Sequence, residues 1–172
     1  MTLWPSAKTK MIYKMNILSI QHSLKHKALE IYVAGCAGNP HCEGCHNPES
    51  WDFNQGTPWR DCLDEIREKC KHHPRLIKNI WILGGEPLDQ DVAELTHMLS
   101  LLHYELRLPI WLFTRYEINE IPSVVAEHCD YIKCGRYLPA QATQNHEQYG
   151  VELASANQRI YDTRKSSMAF WR

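Results

Sequence analysis

The sequence predicts an α/β fold built on a parallel sheet, and three observations carry that expectation. Short runs rich in β-branched and aromatic residues recur along the chain: NIWIL (Asn79 to Leu83), PIWLFT (Pro109 to Thr114) and DYIKCG (Asp130 to Gly135). Segments with helical periodicity lie between them, and strand, helix, strand repeated in this way calls for right-handed crossovers and parallel pairing. The 172 residues, 44% apolar and 23% charged, are those of one ordinary globular domain.

Taken in order, residues 1–14 show no periodicity and read as an extension ahead of the domain, with Met15 offering a second start. The domain proper is expected over 15–162, and 163–172 form a tail in which Phe170 and Trp171 fray by default. MNILSI (Met15 to Ile20) is a short strand, QHSLKHK a polar connection, and LEIYVAG (Leu29 to Gly35) a second strand that ends at a cysteine-rich loop. Thr57 followed by Pro58 predicts a helix start, Thr as N-cap and Pro at the first helical position. Trp59, Cys62, Leu63, Ile66 and Cys70 then fall on one helical stripe, so Cys62 and Cys70 read as small core residues. Pro74 closes that segment, and His72 and His73 read as solvated surface. A further helix is expected from near Asp89, with Leu88, Val92, Leu95, Leu99 and Leu102 on one face and an acidic first turn that suits the helix dipole. IPSVVAEHC is a short helix. RYLPAQATQNHEQY, residues 136–149, has neither period and reads as a long loop. SANQRIYD (Ser155 to Asp162) returns to a strand-like run.

Composition excludes several classes. A net charge of -1 leaves no basic footprint for nucleic acid. No run approaches the roughly 20 apolar residues of a membrane helix. Seven cysteines, three of them clustered, and the missing signal-peptide pattern suit a reducing cytoplasm better than a disulfide framework.

The chemistry concentrates in GCAGNPHCEGCHNPESW, Gly35 to Trp51, which gathers Cys36, Cys42 and Cys45 within ten residues. Thiolates so close point to a metal. Structural zinc closes its shell with four Cys or His ligands, and His41 or His46 is available as the fourth. A four-iron cluster held by only three thiolates keeps one iron open, a place where a ligand can bind and react. The residues alone leave both readings standing.

A second motif lies far down the chain. WILGGEPLDQD (Trp81 to Asp91) is an apolar run followed by Gly84, Gly85, Glu86 and Pro87. Together with the cysteine loop it resembles the radical S-adenosylmethionine enzymes, and within them the activating enzymes of the anaerobic (class III) ribonucleotide reductase. CHNPESW, the GGEP turn, TRYE, DYIKCGRY and LASANQRIY carry the resemblance, in that order, from about Leu29 to Tyr161. One departure stands out: the family usually leaves three residues between its first two cysteines, and here five (AGNPH) separate Cys36 from Cys42. Asn39 and Pro40 favour a tight turn that closes the longer gap.

The resemblance implies an incomplete β/α barrel of the TIM type, with parallel strands and open on one side. It implies a [4Fe-4S] cluster on Cys36, Cys42 and Cys45, and S-adenosylmethionine as the second cofactor. Gly84 and Gly85 let the backbone approach the amino end of that cofactor, with Glu86 and Pro87 holding the turn. Gly44, Cys45 and His46 lie beside the adenosyl part, and Thr114, Lys133 and Asn157, near three strand ends, are candidates for ribose or carboxylate. The implied partners are the large subunit of the anaerobic ribonucleotide reductase, in which one glycine near the C-terminus becomes the radical, and flavodoxin or ferredoxin as electron donor. Other readings stay open: an activase for another glycyl radical enzyme, a small-molecule radical enzyme of the carboxy-deazaguanine synthase type, or a zinc-binding interaction module. A ferredoxin-like carrier lacks its fourth clustered cysteine.

Overall fold

The computed structural model describes residues 15–165. The expectations for the extension over 1–14 and for Phe170 and Trp171 lie outside the described residues. Among these described residues nine strands and three α-helices follow one another: β1 (Asn16–Ser23), β2 (Ala28–Val33), β3 (Thr57–Pro58), α1 (Leu63–His72), β4 (Asn79–Gly84), α2 (Val92–Leu106), β5 (Ile110–Phe113), α3 (Ser123–Ala126), β6 (Tyr131–Cys134), β7 (Glu147–Gln148), β8 (Val151–Glu152) and β9 (Arg159–Asp162). Seven of the strands form one sheet in the order β3-β1-β2-β4-β5-β6-β9.

The alternation of side chains explains the layers. In β4, Ile80 and Ile82 face one side while Trp81 and Leu83 face the other, as the period of two in a strand requires. Register aligns Ile31, Ile82, Leu112 and Ile132 across neighbouring strands. This row is fully buried against Ile66 of α1, Leu95, Met98, Leu99 and Leu102 of α2, and Val125 of α3, so the helices cover one face. Each such side chain contributes roughly 1.5–3 kcal/mol of burial. The opposite face carries Trp81, Trp111 and Tyr131, also in register, and it is covered by Val151, Leu153 and Ile160 from the chain beyond β6.

The expected parallel core is present in β2, β4, β5 and β6. The parallel expectation fails at both flanks, where β1 is antiparallel to β2 and β9 antiparallel to β6. QHSLKHK is therefore no mere connection: β1 runs on to Ser23 and turns directly into β2, with Lys27 at φ 48° making the tight return. No barrel closes among the described residues, and the architecture is a mixed α/β sheet.

Other boundaries move for local reasons. Thr57 and Pro58 do not open a helix but form β3 against Asn16 and Ile17, with the following Trp59 amide bonded to the Met15 carbonyl at 3.1 Å. A 3-10 turn over Trp59–Cys62 then leads into α1, with Trp59, Cys62 and Ile66 buried as the stripe requires. α2 is capped by Asp91, whose carboxylate accepts from the Glu94 amide at 3.0 Å, and Val92 is exposed while Met98 takes its place in the core. Residues 136–149 contain a 3-10 turn and β7, which pairs with β8 through a Tyr149–Gly150 turn at φ 51° and 78°. The tail begins tied down, Thr163 donating from its amide and hydroxyl to the Asp130 and Cys129 carbonyls.

Candidate functional site

The parallel strands all end on one side of the sheet, and each delivers a loop there. β2 leads into the cysteine loop, β4 into the GGEP turn, β5 into Thr114, Arg115 and Tyr116, and β6 into Gly135. Ligand crevices form where strand ends converge in this way. Here they enclose a cavity of about 440 Å³ lined by Cys36, Cys42, Cys45 and His46 on one wall and by Gly84, Gly85, Glu86, Thr114, Arg115 and Lys133 on the other.

Backbone hydrogen bonds shape the cysteine loop. The Gly35 amide donates to the Ser50 carbonyl at 2.7 Å, the Cys36 amide to Trp51 at 3.1 Å, and the Cys45 amide to Cys42 at 3.2 Å. The long first gap folds back on itself: the His41 ring stacks on Trp51 with centroids 3.8 Å apart, and its Nε2 lies 3.0 Å from the Cys36 carbonyl oxygen. Arg136 donates to the Pro40 carbonyl at 3.0 Å. His41 is thus occupied by Trp51 and Cys36, while His46 lines the cavity beside Cys45. Gly44 has φ +67°, a Cβ placed on it would meet nothing within 4 Å, and it lines a second cavity of about 590 Å³ between this loop, Tyr137 and residues 142–144.

All three thiols are half-buried, and burial pushes the Cys36 thiol up. Among the described residues, no three His, Cys, Asp or Glu side chains converge tightly enough to hold a single metal ion. Cys36, Cys42 and Cys45 all line the one cavity, and a donor set made of thiolates suits an iron-sulfur cluster. Cys62, Cys129 and Cys134 are buried in the core and Cys70 packs against it.

The GGEP turn is sewn to the cysteine loop. Gly85 donates to the Val33 carbonyl and Glu86 to the Gly35 carbonyl, both at 2.8 Å. A Cβ on Gly85 would stand 2.2 Å from the Gly35 oxygen and 2.7 Å from the Ser50 oxygen, so the glycine is required by the passing backbone of the cysteine loop. Glu86 is 2% exposed, and its carboxylate accepts from the Thr114 hydroxyl at 2.7 Å, the Arg115 amide at 2.8 Å and the Leu88 amide at 3.0 Å. Burial pushes its pKa up and the three donors pull it back. Glu86 therefore ties β4 to β5, and the Thr114 hydroxyl is spent on it. Pro87 is buried behind the turn and stays off the cavity wall.

Lys133 lines the cavity with its ammonium donating to the Gly135 carbonyl at 3.0 Å. No carboxylate among the described residues forms an ion pair with it. Burial pulls its pKa down to about 8. Asn157 donates to the Arg136 carbonyl at 2.9 Å and does not line the cavity, whereas its neighbour Gln158 does.

The sequence analysis gave no site role to Asp89, Arg115 or Tyr116, which meet where Arg115 lines the cavity wall. The Asp89 carboxylate accepts from the Ala37 amide at 2.7 Å, from Arg115 Nη2 at 3.1 Å and from the Tyr116 hydroxyl at 2.5 Å. The Asp89 hydrogen bond and burial push the Tyr116 phenol up to about 12. Their place within WILGGEPLDQD and TRYE, directly past strand ends, was the available signal.

A family profile described as 4Fe-4S single cluster domain matches residues 27–161. The anaerobic ribonucleoside-triphosphate reductase-activating protein of Salmonella typhimurium is 28% identical over 105 residues, 59% of this chain and 67% of that protein. The protein of that name from Escherichia coli K12 is 26% identical over the same shares. The one from Haemophilus influenzae is 26% identical over 142 residues, 76% of this chain and 84% of that protein.

Proposed function

The chain belongs to the 4Fe-4S single cluster domain family, and from that premise we propose that it is a radical S-adenosylmethionine activase of the anaerobic ribonucleotide reductase. The observation that carries the reading is the shared cavity, with three thiols on one wall and the GGEP turn on the other. The names of the similar proteins from Salmonella, Escherichia and Haemophilus support it.

Cys36, Cys42 and Cys45 hold the [4Fe-4S] cluster through three irons. The Gly84–Gly85 backbone binds the amino end of S-adenosylmethionine, with Glu86 and Pro87 keeping the turn in shape. Lys133, a half-buried cation with no carboxylate paired to it among the described residues, attracts the carboxylate end. Gly44 and His46 border the adenosyl part, and Thr114 and Asn157 act by fixing the walls. When bound, the cluster and S-adenosylmethionine supply one-electron cleavage of the sulfonium to methionine and a 5'-deoxyadenosyl radical, which takes a hydrogen atom from a glycine of the reductase. The electron comes from flavodoxin or ferredoxin in a reducing cytoplasm. Residues 15–162 act as one radical domain, read as an incomplete β/α barrel whose open side admits a polypeptide loop.

Anaerobically reconstituted, dithionite-reduced protein with S-adenosylmethionine is expected to yield 5'-deoxyadenosine, and a glycyl radical doublet by electron paramagnetic resonance once the reductase is added. A doublet that persists with a reductase lacking its C-terminal glycine, or that never forms although the cofactor is cleaved, overturns the activase reading.

A further inference from the structure

We propose that Asp89 and Arg115 form a latch that positions the Cys36 arm of the cluster loop and balances charge beside the cluster. The inference rests on the reading of Cys36 as an iron ligand and assigns positioning residues to that site.

Ala37 directly follows Cys36, and its amide lies 2.7 Å from Asp89 Oδ2. A hydrogen bond to an ionised acceptor is short and strong, so the backbone next to the ligand is pinned to the turn after β4. The Asp89 side chain is only 4% exposed and needs a counter-charge. Arg115 supplies it, reaching Asp89 at 3.1 Å and standing 3.9 Å from Glu86 Oε2, with its guanidinium 4.5 Å over the Tyr116 ring. Arg115 also lines the cavity that the three thiols share. Three loops from β2, β4 and β5 thus meet at one carboxylate. Loss of the Asp89 charge leaves Arg115 facing Glu86 alone, makes the site one unit more positive and favours the reduced form. Loss of the cation leaves two carboxylates and disfavours it.

Two measurements test the latch. In the cluster-free protein, amide hydrogen exchange at Ala37 is expected to quicken at least about tenfold in Asp89→Ala, the loss of a charged hydrogen bond. Asp89→Asn, which keeps the shape, serves if the alanine variant fails to fold. In the reconstituted protein, the cluster's reduction potential is expected to rise in Asp89→Asn, to fall in Arg115→Gln, and to stay near the native value in Arg115→Lys. Unchanged exchange at Ala37, or a shift of the potential in the same direction in both charge-removing variants, overturns the proposal. If the native chain takes up no cluster, the reading of Cys36 fails, and the exchange measurement still decides whether the latch exists.

Discussion

Lys133 sits where a single charge has measurable consequences. Its pKa is about 8 in the folded chain against 10.5 for the free side chain, because burial removes its water. Between those two values the unfolded chain binds more protons than the folded one, so its unfavourable contribution is full below about pH 8 and relieved as pH rises towards 10.5. Lys133→Met is therefore expected to stabilise the cluster-free protein at neutral pH by about 1–3 kcal/mol, an advantage that shrinks in alkaline buffer. Urea unfolding of both forms across that range checks it, and equal pH profiles would contradict it. The same residue marks how far the sequence could be read. The three cysteines and GGEP, which the fold brings to one cavity, stood out because each motif is written in neighbouring letters. The bond between Asp89 and the Ala37 amide was not, since it joins residues 52 positions apart across two loops. Thr114 and Asn157 were legible as strand-end residues, yet nothing in the letters said that Glu86 and the Arg136 carbonyl would claim their side chains.

At the scale of elements, apolar alternation exposed the central strands, and the helices between them followed from their stripes. The hairpins escaped for want of a strong turn signal: β1 and β2 join through a turn without glycine, and β7 and β8 have two residues each. Thr57–Pro58 looked like a helix start because a β-branched residue before proline suits an extended edge equally well. The β7–β8 region has a defined task. It lays Val151 and Leu153 over Trp81 and Trp111 on the face that the helices leave bare. Leu153, 3% exposed, is the inner point of that cover. Leu153→Ala is expected to cost about 2–4 kcal/mol, the usual range for an emptied core leucine. Calorimetry would show a lower melting temperature, and a tryptophan emission shift to the red would report wetting of the aromatic face. A variant with unchanged emission would mean that the hairpin covers something else.

Across the whole molecule, stability is unevenly spread. The crossover from β2 to β4 carries Cys36, Cys42 and Cys45 between Val33 and Asn79, and from Cys36 to Gly56 it holds one short 3-10 turn as its only regular structure. Such segments open at low free energy while the packed sheet stays closed. Limited proteolysis of the cluster-free chain is expected to cut first within 36–56, and cluster loading should slow that cut at least about tenfold, since a group bound only by the closed loop stabilises it by mass action. First cleavage inside β4 or α2 would refute this. The sheet's two ends have a different consequence. An open sheet offers its outer strands as templates on which other chains can stack. Here one end strand is Thr57–Pro58, two residues of which the second has no amide proton to give. The other, β9, runs Arg159 to Asp162 and is followed by Arg164 and Lys165, which pair with Asp162 and crowd its end with charge. Neither end is long, flat or greasy enough to seed a fibril, so at high concentration the folded chain should resist aggregating through its sheet edges.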